Sequence, residues 1–240
     1  MVREKISRIP EYREVVYDKR RWKLFHILRQ EAYQILNVLD KNGIRAIVHG
    51  SIARGDVWEH SDIDVFIPTY IPSYKIEYIL ESHGYHIRAR YIVVATPNST
   101  PKAYIVLDDL EERIVSFPLA KMQVRELEFY AFGGQVDLDC IKKGIRVPGV
   151  DKRLVLIEPT VKGHKESPVI GRESEVAEIL GINVDTVLER IRVLTRRDKI
   201  GRTGVFVKHV LAPDESFESA LDSIARKNPW VRRVLNERVF

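Results

Sequence analysis

The stretch that decides the fold is His49-Gly50-Ser51-Ile52-Ala53-Arg54-Gly55-Asp56, followed shortly by Ser61-Asp62-Ile63-Asp64-Val65. Successive side chains on a strand point to opposite faces. An extended segment over residues 62–67 therefore sets Asp62 and Asp64 on one face and turns Ile63 and Val65 into the core. Two carboxylates held that close repel, and a divalent cation resolves the repulsion. Mg²⁺ suits the pair, with Mn²⁺ as an alternative occupant, because a hard cation needs few protein ligands where phosphates and water supply the rest. A pair of such ions can clamp the attacking and leaving oxygens of an in-line displacement.

Upstream of the carboxylates, a short apolar strand over residues 44–48 runs into the Gly50-Ser51 turn, which reads as the start of a helix. Backbone N–H groups at such a start bind phosphate oxygens, and glycine lets the phosphate come close. The Ser51 hydroxyl adds a donor, and Arg54, three residues on, is a further candidate at the same end.

The pattern continues outward from this centre. Residues 12–39 space their apolar side chains by three and four, which predicts one or two amphipathic helices stopped by Asn42-Gly43. A helix over residues 73–82 and strands over 86–95, 103–107 and 113–117 follow, separated by turn-forming loops. The expected class is therefore α/β, with a mixed sheet. Residues 122–129 predict a helix, Gly133-Gly134 a break and residues 153–157 a strand, with a polar cationic linker over residues 160–166. The last third predicts helices over 174–180, 184–198 and 216–227. The second of these turns Val187, Leu188, Ile191 and Leu194 inward. Gly201-Arg202-Thr203-Gly204 separates Ile200 from Val205-Phe206-Val207 as a small hairpin would. Helix, turn, helix and hairpin together describe a winged helix-turn-helix. The expected division is 1–43 (helical segment), 44–135 (core), 136–170 (connection), 171–210 (winged module) and 211–240 (helical tail).

Composition narrows the setting. Of 240 residues, 45% are hydrophobic and 30% charged, enough for a sizeable core. The single cysteine, Cys140, excludes an intramolecular disulfide. No apolar run approaches the ~20 residues that span a bilayer, and residues 1–13 lack a signal peptide's apolar stretch. A cytoplasmic protein without a membrane partner is expected. The net charge of +5 is uneven. Residues 44–135 hold nine basic and twelve acidic side chains, whereas residues 1–43 hold ten and six, and residues 136–210 fifteen and eleven. An acidic centre between basic flanks suits a metal site beside surfaces that meet a polyanion.

The joint pattern of Gly50-Ser51, Arg54-Gly55 and Asp62-Ile63-Asp64 resembles the nucleotidyltransferase superfamily typified by DNA polymerase β and the CCA-adding enzymes. The whole chain is also similar to a group of archaeal proteins described as predicted nucleotidyltransferases. The resemblance implies a nucleotidyltransferase-type core in which Gly50 and Ser51 bind a nucleoside triphosphate and Asp62 and Asp64 hold magnesium. A nucleoside monophosphate would pass to an acceptor, RNA or DNA among the candidates, with release of pyrophosphate. It further implies a third carboxylate on a later strand. The strand over 113–117 holds none, which leaves Asp108 as the first candidate and Asp109, Glu112, Asp137 and Asp139 open. If none serves, the chain reads instead as a nucleic-acid-binding regulator whose pocket only senses nucleotide. For either reading Arg190, Arg196, Arg197 and Arg202, on the second helix and the wing of the winged module, are the candidate nucleic-acid contacts.

Overall fold

The computed structural model describes residue 6, residues 12–201 and residues 204–238. Arg202, the expected wing-tip contact, lies outside the described residues. In chain order the elements are β1 (Arg13–Val16), α1 (Lys19–Lys41), β2 (Ile47–His49), α2 (Ser51–Arg54), β3 (Ile63–Phe66), α3 (Ser73–Ser82), β4 (Ala89–Val94), β5 (Lys102–Val106) and β6 (Arg113–Pro118). They continue with α4 (Val124–Phe132), β7 (Gln135–Asp137), α5 (Leu138–Lys142), β8 (Gly149–Val150), β9 (Val155–Thr160), β10 (Gly163–Pro168), α6 (Glu173–Leu180), α7 (Val184–Ile200), β11 (Val207–Val210), α8 (Phe217–Lys227) and α9 (Pro229–Glu237).

Local chemistry explains most boundaries. Helix α1 buries Phe25, Leu28, Ala32, Ile35, Leu36 and Leu39, the three-and-four spacing that keeps one stripe facing inward. It ends where the amides of Asn42 and Ile44 return to the Leu39 carbonyl and Gly43 takes a φ of 75°. Asn183, Ser216 and Asn228 cap α7, α8 and α9 through their side chains, and Pro229 occupies the first turn of α9. Residues 13–16, expected within the helical stretch over 12–39, form β1 instead, because Val15 and Val16 are adjacent apolar residues that extend no three-and-four stripe.

The chain forms two compact units from alternating segments, whereas the sequence division is linear. One takes Met1–Tyr33, Val48–Ser61 and Val124–Thr203, the other Gln34–Ile47, Asp62–Gln123 and Gly204–Phe240. In the first, four antiparallel strands run in the order β1-β10-β9-β8. Residues 160–166, expected as a linker, instead turn the β9–β10 hairpin, whose register pairs Gly163 with Thr160 and Pro168 with Val155. Its apolar cluster joins Leu154, Leu156 and Val169 to Val176 and Ala177 of α6 and to Val187 and Leu194 of α7. Leu188, expected inward, is 44% exposed because Val184, Val187, Ile191 and Leu194 already fill the stripe.

Helices α6 and α7 are the expected helix pair, joined through Gly181 in the left-handed conformation. The hairpin expected after them is not formed among the described residues. Val207–Val210 pairs antiparallel with β4, Val207 opposite Val94 and Val210 opposite Tyr91, and so belongs to the second unit. An unpaired β4 edge offers a full row of backbone donors and acceptors, which a two-residue wing strand does not.

In the second unit strands run in the order β11-β4-β5-β6-β3, antiparallel throughout except for the parallel β3–β6 pair. Ile63, Val65, Val115, Phe117, Ala103, Ile105, Ile92 and Val94 occupy one face and are all at most 1% exposed. Helices α3 and α8 pack on that face: Arg90 pairs with Glu77 of α3, and the Phe117 and Phe217 rings meet edge to face at 5.5 Å. Among the described residues no helix is long and apolar enough to cross a membrane. Replacing Phe217, fully buried, by alanine should cost about 3–5 kcal/mol of stability in this unit, read as a lowered denaturant midpoint.

Candidate active site

Strand β3 carries Asp64, and Asp62 is the residue immediately before that strand. Ile63 is 1% and Val65 0% exposed. Asp62 is exposed and Asp64 half-exposed on the other face. Their α-carbons are about 6.6 Å apart on an extended strand, close enough for one hydrated cation to bridge the carboxylates. Two carboxylates that can each reach water match a cation that keeps most of its own hydration. Burial pushes the phenols of Tyr91 and Tyr104 up to about 12, with Glu111 adding to the rise at Tyr91 and Asp64 adding at both.

The Gly50 turn is built within the first unit. Gly50 holds φ 77° and ψ −142°, and an added Cβ there would meet nothing within 4 Å. Glycine is thus demanded by backbone conformation, while the space beside it stays open. Its amide donates to the Gly134 carbonyl at 2.9 Å. Helix α2 is a single turn closed by Gly55 in the left-handed conformation. With the Ala53 and Arg54 amides returned to the Gly50 carbonyl and that of Gly55 to Ser51, the first amides of the turn, Ser51 and Ile52, have no acceptor inside it. A turn this short carries little macrodipole. Attraction for phosphate rests on those two amides and the Ser51 hydroxyl.

Ser51 Oγ donates to Ser61 Oγ at 3.2 Å, and Ser61 Oγ also accepts from the Trp58 amide at 3.0 Å. Ser61, 5% exposed and immediately before Asp62 in the chain, anchors the hydroxyl of the glycine turn's serine. Sequence reasoning missed that role; the signal was a second serine abutting the Asp-x-Asp pair. His60 packs edge-on to Trp58, centroids 5.0 Å apart. His49 packs likewise against Tyr130 at 4.9 Å.

Arg54 does not point at a ligand. Its Nε and Nη2 grip both oxygens of Asp56 at 2.9 Å, and Nη1 donates to the Gly133 carbonyl at 2.6 Å. An added Cβ on Gly134 would stand 2.9 Å from Arg54 Cγ, so the glycine pair leaves room for the arginine. Arg54 is a strut of the turn and leaves the nucleotide-binding set.

Asp108 is also structural. Its Oδ1 accepts the amides of Glu112 and Arg113 and its Oδ2 the Arg113 guanidinium, all at 3.0 Å, closing the β5–β6 connection. Asp109 pairs with Arg88, Glu112 lies against Arg113, Asp137 caps α5 through the Cys140 amide, and Asp139 pairs with Lys142. The residue beside Asp64 on the neighbouring strand is Ile114. Among the described residues no group of three or more His, Cys, Asp or Glu could hold a metal ion together.

The helix face offered to nucleic acid is covered in part. Helix α4 packs against α7: Arg125 pairs with Glu189 at 3.3 Å and Asp185 at 3.6 Å, while Glu128 accepts the Asn183 amide and the Thr186 hydroxyl. The Arg190 guanidinium lies 4.8 Å from the Phe129 ring centre, with Nε buried and without a hydrogen-bond partner. Burial pushes that guanidinium down to about 10. Arg190 is therefore a packing residue, and only Arg196 and Arg197 of the proposed set remain exposed on this helix.

Residues 30–116 match the family model described as a nucleotidyltransferase domain. The matched segment, similar to nucleotidyltransferase domains, contains Gly50, Ser51, Asp62 and Asp64. Among curated proteins none matches the chain.

The polar cluster around the turn sets a pH response. His164, 2% exposed, shares a 2.6 Å hydrogen bond with the Tyr17 hydroxyl, and its other ring nitrogen meets Glu166 at 3.3 Å. Burial pushes its imidazole below the usual range, against the pull of Glu166 and Asp56. Burial raises Asp56, but the Arg54 guanidinium outweighs it and holds that carboxyl below its usual value. Above about pH 6.5 His164 is neutral folded or unfolded. As pH falls below that, the unfolded chain binds a proton the folded chain refuses, and stability drops. Asp56 acts in a lower window: its contribution is full above about pH 4 and is lost as pH falls further. The His164→Gln variant should lose less denaturant midpoint than the parent between about pH 6.5 and 5; equal slopes would assign the response elsewhere.

Proposed function

We propose that the chain is a metal-dependent nucleotidyltransferase that passes a nucleoside monophosphate from a nucleoside triphosphate to an acceptor hydroxyl. The observation that carries this reading is the β3 alternation, which holds Asp62 and Asp64 together on a reachable face within the matched domain. Asp62 and Asp64 would hold Mg²⁺ or Mn²⁺, which when bound neutralises charge on the phosphates. The Ser51 and Ile52 amides and the Ser51 hydroxyl orient the β- and γ-phosphates, and the side-chain-free Gly50 allows their approach. Ser61 fixes the Ser51 hydroxyl. Rate enhancement then comes from positioning and from fixed dipoles. Ile114 beside Asp64 favours acceptor activation by water or by the acceptor's own environment. It also favours, as a second reading, nucleotide binding without transfer.

Incubation with each labelled triphosphate, Mg²⁺ and a panel of RNA, DNA and protein acceptors separates these readings through pyrophosphate release. Asp62→Asn and Asp64→Asn should each reduce transfer by about a hundredfold or more with unchanged circular dichroism; surviving transfer would refute the assignment. Ser51→Ala should raise the KM for triphosphate by roughly tenfold, the worth of a hydrogen bond to a charged group, with a smaller change in kcat.

A further inference from the structure

The face of the second unit's sheet that carries Asp64 extends well beyond it. Cross-strand partners share a face. The register sets Ile114 beside Asp64, Ser116 beside Phe66, Tyr104 beside Ser116 and Tyr91 beside Tyr104. On the same face Lys102 is paired with Val93, Val93 with Lys208, and Tyr91 with Val210. Helices α3 and α8 pack on the opposite face.

Here the side chains are ordered as an array. The Tyr91 and Tyr104 rings stack at 5.0 Å with 13° between their planes. Lys208 Nζ lies 4.6 Å from the Tyr91 ring centre, and Lys102 Nζ lies 5.9 Å from that of Tyr104. Cation–π contact fixes two ammonium groups at the two sides of the tyrosine stack. Lys208 is exposed and Val210 is 61% exposed, so the array opens to solvent at the β11 edge. Lys208 and Val210 come from a strand outside the matched residues 30–116.

We propose that this face, from Lys208 across Tyr91 and Tyr104 toward Asp64, is the acceptor surface, and that the acceptor is a single-stranded polynucleotide. This rests on the reading of Asp62 and Asp64 as the metal pair. Four strand spacings of about 4.8 Å separate β11 from β3, so Lys208 stands about 19 Å across the sheet from the strand of Asp64. A triphosphate held at the carboxylates does not reach that far, nor does a small hydroxyl compound; a polymer does. Two cations call for a polyanion; Tyr104, half-buried, gives a hydrogen-bond donor to phosphate or ribose, while Tyr91, 9% exposed, backs Lys208. The ring edge of Tyr104 meets a base only where that base is not paired within a duplex. In the transfer step the strand's terminal hydroxyl oxygen bonds to the α-phosphorus. The bond from α-phosphorus to the bridging oxygen breaks, pyrophosphate leaves with that electron pair, and the hydroxyl proton goes to water.

The test uses the full chain and a fluorescein-labelled single-stranded oligoribonucleotide, followed by anisotropy across a salt series. The single strand should bind more tightly than its duplex. Lys208→Glu, on an exposed edge strand, and Lys102→Glu should each weaken binding about tenfold or more and flatten the salt dependence. Asp64→Asn should keep oligonucleotide binding while losing transfer. Absent binding, binding indifferent to both charge reversals, or equal affinity for the duplex overturns the proposal. Lysine-dependent binding in a chain that transfers to no acceptor would leave this surface standing and refute the transferase reading alone.

Discussion

The burial of Ile63 and Val65 is the constraint on which the functional reading depends. Both are sealed in the interior of the second unit, and a strand cannot bury every second residue without turning the others outward. The like charges of Asp62 and Asp64 are thereby held side by side, at a cost that a bound cation would relieve. The parallel pairing with β6 fixes which residue stands next to Asp64, and that residue is Ile114. Strand register, more than any single contact, decides which groups can share chemistry with the two carboxylates.

The glycine turn is held by a different means. Its frame is the Arg54–Asp56 pair together with the Gly133 carbonyl, inside a unit where Arg153 similarly bridges Asp151 and Glu166. Burying such pairs is costly unless both partners are satisfied, and here most donors find oxygen. Arg29 does not follow this pattern. It is 5% exposed, donates to the Ile145 carbonyl, and leaves Nε and Nη1 without partners while lying against Phe25. Burial and the neighbouring Arg146 push it down to about 10.

What could be read from the chain followed periodicity. Helix α3 lies where three-and-four spacing predicted it, and the helix pair α6–α7 was legible from its apolar stripe and the intervening glycine. The Asp-x-Asp strand was legible because alternation at that spacing has a chemical consequence. Strand β10 was not, because its inward residue is His164, whose polar atoms are satisfied by Tyr17 and Glu166 rather than by apolar burial. Arginine was the other source of error. Arg54 and Arg190 carry the charge of surface residues, but a flat guanidinium can stack on a ring or clasp a carboxylate inside a fold. Nothing in the local sequence separates the two fates. The third carboxylate failed for a topological reason: Asp108 looks available at a strand end until the loop wraps its amides around it.

The alternation of segments between the two units has a consequence for how the protein is made. The chain changes unit after residues 33, 47, 61, 123 and 203. During synthesis the central sheet waits for β11 and for the Phe217 ring of α8, both encoded in the last fifth of the chain. The helix pair of the other unit likewise docks on strands laid down before it. The first unit has all its segments once residue 203 is made, the second only once residues 204–240 follow, and no single cut releases either one whole. Assembly is therefore sequential: a ribosome-bound chain lacking residues 204–240 carries the second core open while the first already has its full complement of segments.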